Sequence, residues 1–181
     1  MSLHKGLAIA LAFATVAFAG AASAQQKLFV YTSMKESMVG EIKTAFAKKH
    51  PDIKVDFQSA GAGKLMAKIA AERESGKILA DVLWTSEVPD FYQLKKDGLL
   101  QPYTPAEIKS VLNPFTDWDG SFTAVRLGTL GIGYNTRLVK EPPKAWQDLT
   151  KPAFKGAYGI ANPALSGTAY MSVALLAKQF G

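Results

Sequence analysis

Residues 27–59 read KLFVYTSMKESMVGEIKTAFAKKHPDIKVDFQS, and this stretch decides the fold class. A short apolar run at residues 27–31 predicts a buried strand. Apolar residues at helical spacing, Met38, Ile42, Ala45 and Phe46, then predict a helix over residues 35–49 with these side chains inward. The helix ends at a proline-containing turn. Residues 53–58 alternate apolar and polar side chains, as a half-buried strand does. The stretch therefore predicts a strand–helix–strand unit.

The alternation of strands and helices continues along the chain. A helix is predicted at residues 64–75, a third strand at residues 80–84 and another helix at residues 89–96. Such alternation is typical of a parallel sheet flanked by helices. We therefore predict an α/β fold whose ligand lies beyond the carboxyl ends of the strands.

Four turns rich in glycine and hydroxyl side chains each follow an apolar run and precede an amphipathic helix. A helix N-terminus offers free backbone N–H groups and the positive end of a dipole, which together suit an anion. Ser, Thr and Gly are also ordinary helix caps, so each turn alone has a purely structural alternative. The turns predict these ligand-binding residues: Thr32, Ser33, Lys35, Ser59, Gly61, Gly63, Ser86, Glu87, Ser166, Gly167 and Thr168.

Residues 1–24 have the pattern of a secretory signal peptide. A basic start at residues 4–5 precedes an apolar core at residues 7–18, and a small-x-small cleavage site, ASA, follows at residues 22–24. The apolar core is too short to span a membrane. We expect the mature chain to begin at Gln25 and to be exported.

Composition excludes several kinds of function. The chain of 181 residues has no cysteine and only two histidines, His4 and His50, which excludes Cys/His dyads and argues against zinc sites. We predict no catalytic residue, no metal site and no cofactor. The formal net charge of +6 suits an anionic ligand, and we predict no nucleic-acid partner because no basic stripe with interleaved aromatic residues occurs.

The regular alternation of predicted strands and helices stops after residue 102. Residues 122–135 (FTAVRLGTLGIGYN) are punctuated by glycine and predict a bent strand that could cross between two lobes. A short helix at residues 146–149, a strand at residues 158–161 and a helix at residues 167–180 are expected to follow. A second lobe thus begins but cannot close on the residues that remain.

Five segments, in this order, resemble the bacterial extracellular solute-binding proteins of ferric-iron and phosphonate-type ABC importers. The resemblance implies a two-lobed type II periplasmic binding fold, with parallel-rich sheets flanked by helices and a cleft between the lobes. It also implies a periplasmic, monomeric protein that delivers a solute to the importer's membrane permease and is not an enzyme. The segments are VYTSMKESMVGEIKTAFAKKHPDIKV, ADVLWTSEVPDFYQL, GIGYNTRLV, PPKAWQDLTKPAFKG and NPALSGTAY.

The resemblance also implies how the chain is divided. Residues 25–128 correspond to lobe 1, residues 129–136 to the crossing or hinge strand, and residues 137–181 to the start of lobe 2. Members of the family are roughly twice as long, as two lobes of ordinary domain size require. We therefore expect the chain to represent the N-terminal half of such a protein, with lobe 2 incomplete.

The ligand implied by the resemblance is a small anion. In ferric-binding members a histidine in the first turn and a glutamate in the third help to hold iron, and the matching positions look like Lys35 and Ser86. The fourth turn, residues 166–168, matches the place where such members hold an anion such as phosphate. We therefore predict a phosphonate- or organophosphate-like solute.

Two alternatives to this function remain open at the level of sequence. One is a ferric-ion-binding protein of an iron importer, in which Glu87, one position along, would replace the missing glutamate. The other is an exported enzyme that acts on a phosphorylated substrate. The absence of a recognisable nucleophile and base argues against the enzyme.

Overall fold

The structure is a computed structural model that describes residues 25–107 and 119–181. The predicted signal peptide at residues 1–24 lies outside the described residues. Each of the six elements predicted in the first half of the chain is present, with shifts of a few residues at the ends. They are β1 (Gln26–Thr32), α1 (Glu36–Lys49), β2 (Ile53–Ser59), α2 (Ala62–Glu74), β3 (Val82–Trp84) and α3 (Val88–Lys96).

The three strands form one parallel sheet in the order β2-β1-β3. The predicted α/β fold with a parallel sheet flanked by helices is therefore confirmed. The register pairs Thr32 of β1 with Ser59 of β2 on one side and with Trp84 of β3 on the other. Because the three strands end at the same level, the turns that follow them start from one edge of the sheet.

The core lies between the sheet and helices α2 and α3. Tyr31, Leu65, Ile69 and Leu94 form its buried centre, and half-buried side chains such as Phe29 pack around them. Tyr31 and Leu65 are fully buried. Burial of such side chains is the main favourable term available to a chain that has no disulfide.

A polar network at the edge of this core ties β1 to α2. The Tyr31 hydroxyl donates a hydrogen bond of 2.6 Å to Oε1 of Glu72, and Lys68 Nζ lies 2.9 Å from the same oxygen. The Leu79 backbone N–H donates to Oε2 of Glu72 at 3.1 Å. Burial alone would raise the pKa of Glu72, but these hydrogen bonds outweigh it and lower that pKa. The charged carboxylate thereby anchors the segment that leads into β3.

Glycines follow the C-termini of α2 and α3, and a proline lies at the N-terminus of α3. Gly76 and Gly98 follow α2 and α3 with φ of 85° and 69°, in the left-handed region that glycine adopts without strain. Pro89 lies in the first turn of α3, where its missing N–H costs nothing.

The second half of the chain contains fewer regular elements than predicted. The short helix appears as a 3₁₀ turn at Trp146–Thr150, a second 3₁₀ turn follows at Pro152–Phe154, and the last predicted helix is α4 (Gly167–Phe180). No strand forms over residues 122–135 or 158–161, so those two predictions are wrong for this structure. A strand requires a neighbour that completes its hydrogen-bond ladder, and neither range pairs with another strand among the described residues.

Among residues 25–107 and 119–181, no helix has both the length and the apolar composition that a membrane span requires.

Candidate ligand-binding site

The four predicted turns form one cluster at the carboxyl edge of the sheet, and we call it the turn cluster. Turn 1 comprises residues 31–35, turn 2 residues 59–63, turn 3 residues 85–87 and turn 4 residues 165–168. The sheet register places the first three turns side by side, because they directly follow the paired strand ends. Turn 4 begins α4 and reaches the other turns from a distant part of the sequence.

Turn 1 is tied to the end of β3 by backbone and side-chain hydrogen bonds. The fully buried Thr32 hydroxyl donates to the Trp84 carbonyl at 2.9 Å and accepts from the Met34 backbone N–H at 3.1 Å. The Ser33 N–H donates to the same Trp84 carbonyl at 3.2 Å. The Thr32 hydroxyl thus has two internal partners and positions turn 1, and a ligand contact of Thr32 stays a prediction.

Lys35 is the N-cap residue of α1, with its side chain exposed and no side-chain cap. Lys64 lies in the first turn of α2 and is also exposed. Lysine is unfavourable near a helix N-terminus, because the positive dipole end repels it. The two cations therefore add positive charge to the region of the turn cluster and contribute nothing to capping.

Turn 2 approaches turn 4 so closely that only glycine fits. A Cβ atom added at Gly61 would overlap the Leu165 carbonyl oxygen, and one added at Gly63 would overlap the Ala164 carbonyl oxygen. Gly61 is the N-cap of α2 and uses no side chain there. The glycines of turn 2 thus have a specific steric role, which is to admit the backbone of turn 4. Ser59 stays half-buried at the strand end.

Turn 3 contains a buried acid. Glu87 is 3% exposed, and its carboxylate accepts hydrogen bonds from the Ser86 hydroxyl at 2.5 Å and the Ser86 backbone N–H at 3.2 Å. Burial, and then the charge of Glu87, raise the pKa of Asp90 one turn further along. The Thr85 hydroxyl is buried and has no hydrogen-bond partner among the described residues.

Turn 4 is organised by Asn162 and by Ser166. The Asn162 carbonyl accepts from the backbone N–H groups of Leu165 and Ser166, both at 3.0 Å, and its Oδ1 accepts from the Ala164 N–H at 2.9 Å. Ser166 is the N-cap of α4 and accepts from the Ala169 N–H at 3.4 Å. Asn162 shapes the backbone that faces turn 2, and the sequence identified it only as part of a turn.

Glu87 also joins turn 3 to turn 4. A Cβ atom added at Gly167 would overlap the Glu87 side chain, including its Oε1. Gly167 is the first residue of α4 and is buried. The carboxylate of turn 3 therefore lies at the N-terminus of α4, where a negative charge is stabilised.

The eleven predicted residues fall into three groups by exposure. Three are buried and make contacts within the turn cluster: Thr32, Glu87 and Gly167. Four are half-buried: Ser33, Ser59, Gly63 and Ser166. Four are exposed: Lys35, Ser86, Thr168 and Gly61, although Gly61 faces Leu165.

A largely apolar cavity of about 1120 Å³ lies next to β3 and α3. Its walls include Leu83, Phe91 and Leu100, and of the predicted ligand-binding residues it contains only Ser86. Apolar walls of this kind do not suit a small anion, so we place the candidate site at the turn cluster.

Within the described parts of the chain, no group of three or more His, Cys, Asp or Glu side chains is arranged to hold a metal ion. Glu87 is bonded to Ser86 and packed against Gly167. The described residues therefore offer hydrogen-bond donors and positive helix ends, which suit an anion better than a hard cation.

A family model described as bacterial extracellular solute-binding protein matches residues 41–180, which is most of the chain. The chain belongs to the bacterial extracellular solute-binding proteins. The family predicted from the five sequence segments is thereby confirmed.

Two individual proteins are similar to nearly the whole chain. The chain is 34% identical to an uncharacterized protein of Haemophilus influenzae, over 99% of this chain and 54% of that protein. It is 30% identical to the probable ABC transporter periplasmic-binding protein y4fP of Sinorhizobium fredii, over 98% of this chain and 51% of that protein. The chain thus spans about half the length of these relatives.

Two solved structures of periplasmic binding proteins resemble the fold. The periplasmic binding protein AfuA of Actinobacillus pleuropneumoniae, with exogenous fructose-6-phosphate bound, has a TM-score of 0.78 at 32% identity. That similarity covers 87% of this chain and 51% of AfuA. The periplasmic binding protein P5PA has a TM-score of 0.69 at 26% identity, with 86% of this chain and 51% of P5PA covered.

Proposed function

We propose that this chain contributes the turn cluster of a cleft that captures a small anionic solute, of the organophosphate or phosphonate class. In this role it is the periplasmic substrate-binding component of an ABC importer, acts as a monomer and delivers the solute to the membrane permease. No catalytic step is assigned to it. The predicted signal peptide at residues 1–24 would direct its export.

One observation carries the proposal: residues distant in sequence meet at the turn cluster. Gly61 and Gly63 lie against the backbone of residues 164–165, and Glu87 lies against Gly167. Two helix N-termini, those of α2 and α4, therefore come together, with Ser59 near the first and Ser166 and Thr168 at the second. Backbone N–H groups and hydroxyls at such ends suit the oxygen atoms of a phosphate.

The fructose-6-phosphate bound to AfuA supports the same class of solute. A phosphate ester would place its charged group at the turn cluster, where Lys35 and Lys64 add positive charge. We propose contact roles for the exposed and half-buried residues Ser33, Lys35, Ser59, Gly61, Gly63, Ser86, Ser166 and Thr168. Thr32, Glu87 and Gly167 would support them from within.

We further propose the division of the chain implied by the family. Residues 25–128 would belong to lobe 1, residues 129–136 would connect the lobes, and residues 137–181 would begin lobe 2. The contact between turns 2 and 4 joins the first and last of these segments.

A thermal-shift screen tests the proposed function. The chain would be heated with fructose 6-phosphate, methylphosphonate, inorganic phosphate, fructose, ferric citrate and citrate. A ligand present at 100 times its Kd stabilises the folded state by about 2.7 kcal/mol, which is readily visible as a higher Tm. We expect the phosphorus-containing compounds to raise Tm and fructose to leave it unchanged.

Two outcomes of this screen would contradict the proposal. Stabilisation by ferric citrate, with no effect of citrate or of any phosphorus compound, would favour the ferric alternative. Release of inorganic phosphate from fructose 6-phosphate during incubation would favour an enzyme.

A further inference from the structure

Glu87 is an unusual residue to find inside an anion-binding cluster. It is 3% exposed and carries a carboxylate, and a buried carboxylate is costly unless it has partners. Among the residues that the structure describes, its carboxylate accepts hydrogen bonds from Ser86, through the hydroxyl and the backbone N–H. The remaining side of the side chain faces turn 4.

The Glu87 carboxylate lies at the N-terminus of α4 as well as at that of its own helix, α3, of which Glu87 is the N-cap residue. Glu87 packs on Gly167, the first residue of α4, and no Cβ could fit between them. The side-chain cap of α4 is a single long bond of 3.4 Å from the Ala169 N–H to Ser166. The N-terminus of α4 is thus weakly capped by its own residue and lies beside a negative charge from turn 3.

We propose that Glu87 determines the charge preference of the cleft, because its carboxylate occupies the N-terminus of α4 in competition with the solute's anionic group. This inference rests on the proposed function. A solute anion at this helix end must either displace the carboxylate or share the site with a like charge, and both lower its affinity. Only solutes with further contacts in the cleft overcome this cost, so weakly held anions are rejected.

Replacement of the carboxylate by an amide tests the competition. Glu87→Gln keeps the shape of the side chain and removes its charge. We expect calorimetric titration to show about fivefold tighter binding of both fructose 6-phosphate and inorganic phosphate, in the range of a helix-terminus charge effect. Glu87→Asp keeps the charge and withdraws it by one methylene, so a smaller gain is expected.

Asp90→Asn is the matched control. It makes the same change in net charge one turn further along α3, at a half-buried carboxyl. We expect its affinities to stay within about twofold of wild type. Unchanged or weaker phosphate binding by folded Glu87→Gln would overturn the inference, as would an equal gain in Asp90→Asn.

A measurement without solute separates this inference from the proposed function. The chain has no cysteine, so spin labels can be attached cleanly at Tyr92→Cys on α3 and Tyr170→Cys on α4, both exposed positions. Pulsed electron resonance should show a broader or longer distance distribution when Glu87→Gln is added. An unchanged distribution together with an unchanged phosphate affinity would overturn the inference.

Failure of the proposed function and failure of this inference would give different results. If neither wild type nor Glu87→Gln binds any phosphorus compound, the proposed function is contradicted. The label distances would still decide whether the charge of Glu87 holds turn 3 against turn 4. Binding that appears only in Glu87→Gln would support the competition directly.

Discussion

The backbone of Gly63, in the first turn of α2, lies directly against the carbonyl oxygen of Ala164 in turn 4. These residues are 101 positions apart in the sequence (164 − 63), and no side chain separates them. The contact closes the turn cluster. It also means that one added methyl group should open it.

Gly63→Ala is predicted to weaken solute binding. Gly63 has an ordinary helical position and no positive φ, so alanine is not strained there by its own backbone. The added Cβ would overlap the Ala164 carbonyl and push turn 4 away. We expect the affinity for fructose 6-phosphate to fall about tenfold or more, equivalent to about 1.4 kcal/mol, by calorimetric titration.

Gly40→Ala provides the control for that experiment. Gly40 also lies inside a helix, but nothing lies within 4 Å of an added Cβ. Alanine there should stabilise α1 by about 0.5–1 kcal/mol and leave affinity unchanged. Equal affinities for Gly63→Ala and Gly40→Ala would show that the turn 2–turn 4 contact has no part in binding.

Thr32→Val is predicted to destabilise the fold. The substitution keeps the shape of a fully buried side chain but removes the acceptor of the Met34 N–H and one of the two donors to the Trp84 carbonyl. An unsatisfied buried polar group costs about 1–3 kcal/mol. Urea unfolding should show this loss, whereas Ser33→Ala, at a half-buried hydroxyl of the same turn, should be nearly neutral for stability. A neutral Thr32→Val would contradict the structural role assigned to Thr32.

Tyr31→Phe is predicted to lower stability through the network at the core edge. The phenol donates a 2.6 Å hydrogen bond to Glu72, and a hydrogen bond to a charged group is worth about 1.5–3 kcal/mol. Tyr92→Phe, at an exposed ring on α3, is the control and should change stability by less than about 0.5 kcal/mol. If the two variants have equal free energies of unfolding, the hydrogen bond from Tyr31 to Glu72 has no stabilising role.

Asp148 should titrate at unusually low pH. Its ion pair with Lys151 at 2.7 Å, and then the backbone N–H groups of Lys144 and Ala145, lower its pKa from 3.8 to about 2. Because the folded-state pKa is the lower one, this stabilisation is complete above the unfolded-state pKa and is lost as pH falls towards 2. Carboxyl NMR titration should locate the midpoint, and Lys151→Met should raise it. A midpoint near 3.8 in wild type would contradict the geometry of this turn.

The β–α units could be predicted from sequence because their signals are local. The apolar run before Thr32, the alternation in β2 and the glycines after α2 and α3 each describe neighbouring residues, and local periodicity suffices to identify them. The positions of the turns at one edge followed from the topology of parallel sheets. Whether the solute contacts those turns stays a prediction.

Features that depend on distant contacts could not be predicted in the same way. Helical spacing favoured Met38 and Ile42 as the buried face of α1, but they are 44% and 36% exposed, and Val39 is buried instead. Periodicity defines an apolar stripe, whereas the packing partner decides which edge of it is covered. The strand expected over residues 122–135 is absent for the same kind of reason, since pairing requires a neighbour.

The contact between Glu87 and Gly167 was equally invisible to sequence reasoning. The sequence predicts both residues as ligand contacts, because each occurs in a turn before a helix. Nothing local indicates that the carboxylate of one turn lies on the glycine of another. The assignment of residues 129–136 as a connection between lobes likewise remains a prediction.

The central claim is that the turn cluster recognises the charged group of an organophosphate-like solute. Calorimetric titration of the wild-type chain with fructose 6-phosphate and, in parallel, with fructose tests it most directly. We predict saturable 1:1 binding of the phosphate ester and at least about a hundredfold weaker binding of the uncharged sugar, a difference of about 2.7 kcal/mol. Equal affinities for the two compounds, or no binding of either, would contradict the claim.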